Sequence, residues 1–131
     1  TDQTWDVAVI GAGKIGQAIT VYPKFIDRGF KVVAVFDNDP AIIGTNVANH
    51  RVRPVADMTR IIPLRNIKLA ILSAPVTVAQ DLADRLIASG ITGILNFAPV
   101  RLRVPETVGV SSVDFSRSLE QLALETSIDF C

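Results

Sequence analysis

The feature that most constrains the fold is Gly11-Ala12-Gly13-Lys14-Ile15-Gly16, placed directly after the apolar run Val7-Ala8-Val9-Ile10. A second apolar run, Lys31-Val32-Val33-Ala34-Val35-Phe36, ends on an acid, Asp37. Strand, glycine turn, helix, strand, acid is the order a dinucleotide site requires, with the acid about 20 residues beyond the glycines. The first glycine permits a tight turn, the second lets the backbone approach a pyrophosphate, and the third lets the helix pack close to the sheet. The helix N-terminus then offers free N–H groups to phosphate oxygens. A strand-to-helix turn that binds nothing can share this spacing. Here the turn stands inside a complete βαβ pattern, which predicts a nucleotide site.

Strand-like runs recur at Trp5–Ile10, Lys31–Phe36, Ile67–Ser73, Thr92–Phe97 and Thr107–Val113, with a weaker one near Arg51–Val55. Helical patterns between several of them predict a doubly wound α/β fold of Rossmann type with a mainly parallel sheet. The first helix carries an apolar stripe of Ile15, Ala18, Ile19 and Tyr22, then Phe25 and Ile26, expected to lie on the sheet. Pro23 should end or kink it near Tyr22. A short helix is expected over Ala56–Leu64, cut by Pro63. Another should start at Pro75 and stop at Gly90, with a core stripe of Ala79, Leu82, Ala83, Leu86 and Ile87. Asp114 is placed to cap a last helix from about Phe115 to Ser127. Its broad apolar face (Leu119, Leu122, Ala123, Leu124) either closes its own sheet or packs on a second subunit.

With 131 residues, 49% of them apolar, the chain can build one domain with a core buried on both sheet faces. No apolar run approaches the roughly 18 residues of a membrane span, and no positively charged signal region is present, so a soluble, cytoplasmic chain is expected. Thirteen basic residues balance thirteen acidic ones, and no basic stripe suggests that this chain grips DNA by itself. Cys131 is the only cysteine, which leaves no internal disulfide and no cysteine metal cluster. His50 is the only histidine and falls in a turn-like stretch, where a solvated loop position is expected. The first residue is Thr rather than Met, as in an excised domain or a processed chain.

Asp37 is placed to accept hydrogen bonds from an adenosine ribose, and its charge would repel a 2′-phosphate. This favours NAD(H) over NADP(H), and Asn38-Asp39-Pro40 supplies no cation to reverse the choice. Asp39 reads as a cap for the turn Ala41–Ile43. Ser73-Ala74-Pro75 ends a central strand and is expected to form a second wall, and Asn96-Phe97-Ala98-Pro99 a third, because ligands of open α/β sheets bind outside the carboxyl ends of strands. No Ser/His/Asp set and no metal-ligand spacing appears. The expectation is a chain that binds a nucleotide and transforms nothing.

Ile94-Leu95-Asn96-Phe97-Ala98-Pro99-Val100-Arg101-Leu102, followed by Val104-Pro105, closely resembles a segment of the Rex family, the bacterial redox-sensing transcriptional repressors. Three other stretches agree: Gly11–Gly16 with Tyr22-Pro23 downstream, Val35-Phe36-Asp37 with Asp39, and Val113-Asp114-Phe115. The resemblance implies a homodimer whose subunits join an N-terminal winged-helix DNA-binding domain to a C-terminal Rossmann domain. It implies that NADH releases the operator, so that the NADH/NAD⁺ ratio is reported. By the same match, Tyr22 and Asp114 correspond to redox-switch residues, Phe115 lies near the nicotinamide, and the last helix is exchanged between subunits. Residues 1–113 then form the NAD(H)-binding domain and residues 114–131 its dimerisation helix. The expected cofactor contacts are Gly11, Ala12, Gly13, Lys14, Ile15, Gly16, Asp37, Ser73, Ala74, Pro75, Asn96, Phe97, Ala98 and Phe115. Operator DNA would be reached only through a winged helix that these residues do not contain. Ala41-Ile42-Ile43 departs from the charged residues that relatives often carry beside the adenine. The competing readings are a nucleotide- or CoA-binding module of a larger enzyme assembly and a free-standing oxidoreductase.

Overall fold

Each apolar run becomes a strand of one sheet because side chains on its two faces find cover on opposite sides. The structure, a computed structural model, describes residues 3–129; Cys131 lies outside the described residues. The chain runs β1 (Trp5–Ile10), α1 (Lys14–Thr20), α2 (Lys24–Asp27) and β2 (Phe30–Asp37). The short strands β3 (Asn46–Val47), β4 (His50–Arg51) and β5 (Arg53–Pro54) follow, then a single 3₁₀ turn and α3 (Met58–Leu64). The remainder is β6 (Leu69–Leu72), α4 (Val76–Ala88), β7 (Gly93–Asn96), β8 (Gly109–Ser112) and α5 (Phe115–Asp129).

The main sheet has the order β5-β2-β1-β6-β7-β8, and every neighbouring pair is parallel. The chain builds outward from β1 through β2 to β5, then returns to the other side of β1 with β6. Strand order therefore reverses between β1 and β6, which opens a crevice at their carboxyl ends. The weaker run near Arg51–Val55 divides between the small β3–β4 hairpin and the edge strand β5.

One face of the sheet is fully covered. Ala8, Ile10, Phe36 and Leu72 pack beneath Met58, Ile61 and Ile62 of α3 and Ala79, Leu82, Ala83 and Leu86 of α4. The α4 stripe thus lands where its periodicity places it. Pro75 is the residue before its first turn, and the helix closes with Ile91 N–H on the Leu86 carbonyl (3.0 Å) and Gly90 N–H on that of Ile87 (3.0 Å). Pro63 does not cut α3; it sits in the last turn, and the helix runs one residue past it.

The other face differs from expectation. The first helix stops at Thr20, short of Tyr22, and a separate turn of helix follows Pro23. Of its stripe only Ile19 and Phe25 are half-buried, over Val7, Val9 and Val35. Ile15, Ala18, Tyr22 and Ile26 are exposed, Ile26 by 72%. The physical reason is that α1 and α2 cover β1 and β2 but not β6 to β8. There an apolar groove of about 490 Å³ remains, bordered by Phe25, Phe30, Leu69, Ile71, Leu95 and Val110. Nor does α5 fill it. Every residue from Phe115 to Ser127 is exposed, including Leu119 (67%) and Leu124 (64%), so the helix does not close its own sheet.

Candidate nucleotide site

The carboxyl ends of the central strands are tied together by backbone hydrogen bonds. Gly11 N–H donates to Phe36 O (2.8 Å), Ser73 N–H to Ile10 O (2.8 Å), Phe97 N–H to Leu72 O (2.8 Å) and Val113 N–H to Asn96 O (2.8 Å). These bonds align Gly11, Asp37, Ser73, Phe97 and Val113 along one edge of the sheet.

The three glycines serve different needs. Gly11 has φ +101°, and a Cβ there would overlap the Ser73 carbonyl. A Cβ on Gly16 would overlap the Gly11 carbonyl, so this glycine allows α1 to sit against the turn. Gly13 is different: its backbone is extended (φ −75°, ψ −163°), and apart from its chain neighbours no described residue has an atom within 4 Å of where a Cβ would stand. Neither backbone strain nor internal packing asks for a glycine at this point. The open space it leaves fits a cradle for a ligand's phosphate rather than a packing contact. The first three N–H groups of α1, on Lys14, Ile15 and Gly16, have no intrahelical partner and no side-chain cap. Lys14 and Ile15 are exposed on this first turn.

Asp37, at the end of β2, has a structural role in the turn. Its Oδ2 accepts the Ala12 N–H (2.7 Å) and its Oδ1 the Asp39 N–H (2.8 Å). The acid therefore fixes the glycine turn to β2 and shapes its own loop. Asp39 caps the next turn as its sequence suggests, accepting the Ala41 N–H on Oδ1 (2.9 Å).

A cleft of about 250 Å³ opens between these strands, and it joins Gly11, Asp37, Ser73, Ala74 and Pro75. It also brings in residues that the sequence reading passed over: Asn38, Val55, Val78, Asp81, Leu82 and Arg85. Four of these follow i, i+3, i+4, i+7 spacing on α4, a second helical face that overlaps the core stripe only at Leu82. That spacing was the available signal.

Asn96 and Ala98 do not line this cleft. Asn96 is fully buried; its Nδ2 donates to the Ala98 and Val100 carbonyls (3.1 and 3.0 Å), and its Oδ1 accepts the Ala98 N–H (3.0 Å). Its amide builds the loop after β7. That loop is further held by Gln80, which exchanges two hydrogen bonds with the Arg103 backbone (2.8 and 2.9 Å). Phe97 is half-buried, and its ring meets that of Phe115 at 5.9 Å. Asp114 caps α5, accepting the Arg117 N–H on Oδ1 (3.0 Å). Tyr22 lies in the α1–α2 turn, half exposed, edge-on to Phe25 at 5.0 Å.

His50 is not a solvated loop residue. It is half-buried on β4, and burial lowers its pKa from the ordinary 6.5, helped by the charges of Arg65 and Lys31. Among the described residues no helix is long and apolar enough to cross a membrane.

Comparison with known proteins decides the family: the model described as "CoA binding domain" matches residues 2–100. The chain belongs to the CoA-binding domain family. Within this family its likeness is to the Rex repressors, in agreement with the resemblance carried by Ile94–Leu102. It is 46% identical over 121 residues to the redox-sensing transcriptional repressor Rex of Streptomyces griseus, covering 92% of this chain and 48% of that protein. It is 41% identical over 128 residues to the Rex of Carboxydothermus hydrogenoformans, covering 98% and 62%. The chain thus spans about half to three-fifths of the relatives it matches. The Rex-family repressor RSP, solved in complex with β-NADH, superposes with a TM-score of 0.91 at 35% identity over 98% of this chain and 62% of that one. The same repressor in complex with β-NAD⁺ and operator DNA gives a TM-score of 0.94, with 98% and 59% covered.

Proposed function

We propose that this domain binds NADH and NAD⁺ and serves as the sensing part of a cytoplasmic redox-responsive transcriptional repressor. The observation that carries this reading is Gly13, a glycine that neither the fold nor its backbone needs, at the mouth of a turn fixed to Asp37. Gly11 to Gly16 and the N-terminus of α1 would hold the pyrophosphate, Asp37 a ribose, and Ser73-Ala74-Pro75 the central wall. The complexes that RSP forms with NADH, NAD⁺ and operator DNA support the same assignment.

When bound, the cofactor supplies a ring that is cationic in NAD⁺ and neutral in NADH. The protein's part is to surround that ring with apolar groups. Phe97 and Phe115, whose rings meet at 5.9 Å, would offer such a surface and penalise burial of a cation. A 100-fold preference for NADH needs only about 3 kcal/mol of differential binding. To act as a signal, NADH must also favour one subunit arrangement over another. Tyr22 and Asp114 are proposed to take part in that change.

The arrangement in question is a homodimer in which α5 (within residues 114–131) leaves its own body, residues 1–113. It would lay Leu119, Leu122 and Leu124 into the groove over β6 to β8 of a second copy. An exposed apolar helix and an uncovered apolar groove in one chain support this pairing. Operator contact would come through a winged-helix domain that these residues do not include, and the domain itself would catalyse nothing.

The family description favours one alternative, a CoA-binding module of an enzyme assembly. Asp37 opposes it, because a carboxylate at the ribose end repels the 3′-phosphate of CoA. Fluorescence titration with NADH, NAD⁺, NADPH and CoA separates the readings. Micromolar or tighter NADH binding with weak CoA binding is expected, and tighter binding of CoA than of NADH would overturn the assignment.

A further inference from the structure

Ala12, between the first two glycines, is held at both of its backbone polar atoms by side chains. Its methyl group is fully buried in the cluster that contains Val9 and Val35. Its N–H donates to Asp37 Oδ2 (2.7 Å), and its carbonyl accepts from Gln17 Nε2 (2.8 Å). No backbone N–H of the described residues donates to that carbonyl. Gln17 is exposed on α1, so folding its amide back over the turn gives up rotamer freedom that solvent would leave it. The two clamps are not redundant. Asp37 fixes the peptide between Gly11 and Ala12, and Gln17 fixes the one between Ala12 and Gly13.

A trans peptide points its carbonyl and its N–H in opposite directions, and no described peptide bond is cis. With the Ala12 oxygen drawn towards Gln17, the Gly13 N–H is turned the other way, and no described residue accepts it. Gly13 is also what makes this peptide easy to turn over. A flip changes ψ of Ala12 and φ of Gly13 by about half a turn. It would take Gly13 from φ −75° to a positive φ, which glycine adopts at little cost. The flipped peptide would present a carbonyl oxygen where the N–H stood, and that oxygen repels a phosphate. A residue with a Cβ would resist the flip but fill the open space; glycine keeps the space and needs an outside hold. We infer that Gln17 is a positioning residue for the pyrophosphate: its side-chain amide locks the Ala12–Gly13 peptide with the Gly13 N–H presented to phosphate oxygens. This rests on the nucleotide reading proposed above and adds to it a residue that acts without touching the ligand.

The test compares the parent chain with Gln17→Met by titration calorimetry against NADH, ADP-ribose and adenosine, which has no phosphate. A nitrogen–proton correlation spectrum of each free protein reads the Gly13 amide. Met keeps the length and helix propensity of Gln but has no donor, so the variant should melt close to the parent. It should lose about tenfold in affinity for NADH and ADP-ribose, the scale of one hydrogen bond to a charged group, with adenosine binding unaltered. The Gly13 amide signal, single and sharp in the parent, should broaden or double as the peptide exchanges between orientations. Gln17→Ala, the stronger helix former, carries the same expectation and stands in if the Met variant does not fold. Full ADP-ribose affinity in the variants would overturn the role, and so would an equal loss for adenosine, which marks general damage to the cleft. A lost affinity with an unchanged Gly13 signal would overturn the peptide lock. If the parent itself binds neither NADH nor ADP-ribose, the nucleotide reading fails, an outcome read from the parent and not from the variants.

Discussion

At the scale of single residues, the site separates groups that build the turn from groups left for a ligand. Gly11→Ala should cost about 2–3 kcal/mol of stability, because it adds both a clash with the Ser73 carbonyl and a strained φ. Gly13→Ala meets no protein atom, so its urea midpoint should stay close to the parent while NADH affinity falls at least about tenfold. A parallel loss of stability in Gly13→Ala would assign that glycine to the fold instead. Asp37→Asn keeps one acceptor oxygen but loses the other, which now holds either Ala12 or Asp39. It should cost about 1–2 kcal/mol and raise NADPH affinity relative to NADH. His50 sets a pH dependence. Burial in the fold disfavours the protonated imidazole, whereas the unfolded chain protonates near pH 6.5, so the unfolded state binds more protons as pH falls. Stability present above pH 6.5 should therefore decline below it, and His50→Gln should flatten that part of the profile. An unchanged profile in the variant would show that another group is responsible.

Among the elements, strands and α4 were legible because their periodicity reports a buried face and the face is in fact buried. The same reading failed for α1. A stripe such as Ile15, Ile19, Tyr22, Ile26 says that an apolar face exists, not that this chain covers it. The turn at Tyr22-Pro23 is marked by its proline, and the phase break it imposes between α1 and α2 leaves Tyr22 and Ile26 exposed. The cleft was half legible for a related reason. Gly11, Asp37 and Ser73 sit at strand ends that sequence marks directly, whereas Val55, Asp81 and Arg85 arrive through strand order and the docking of α4. Asn96 shows the converse: it stands at a strand end, yet its amide is consumed in folding the next loop. The helix α5 carries its own prediction. Leu119→Asp with Leu122→Asp should convert a dimer to a monomer in sedimentation, with the cofactor cleft intact by ADP-ribose titration. A dimer that survives both substitutions would place the interface elsewhere.

Taken whole, the molecule is a parallel sheet with one face sealed by α3 and α4 and the other sealed only over β1 and β2. In the proposed reading that asymmetry links the site to assembly. Phe115 opens α5 and its ring meets that of Phe97 after β7, so in the proposed reading a nicotinamide there would lie beside the root of the exposed helix. In the proposed homodimer, a ligand that differs only in the charge of one ring would then bias how two subunits meet, provided it binds one arrangement more tightly. On the proposed reading the domain distinguishes the two redox forms. The direct measurement is paired titration with NADH and NAD⁺ at fixed salt and protein concentration. NADH is expected to bind about 100-fold more tightly, a difference of about 3 kcal/mol; equal affinity for the two forms would contradict it.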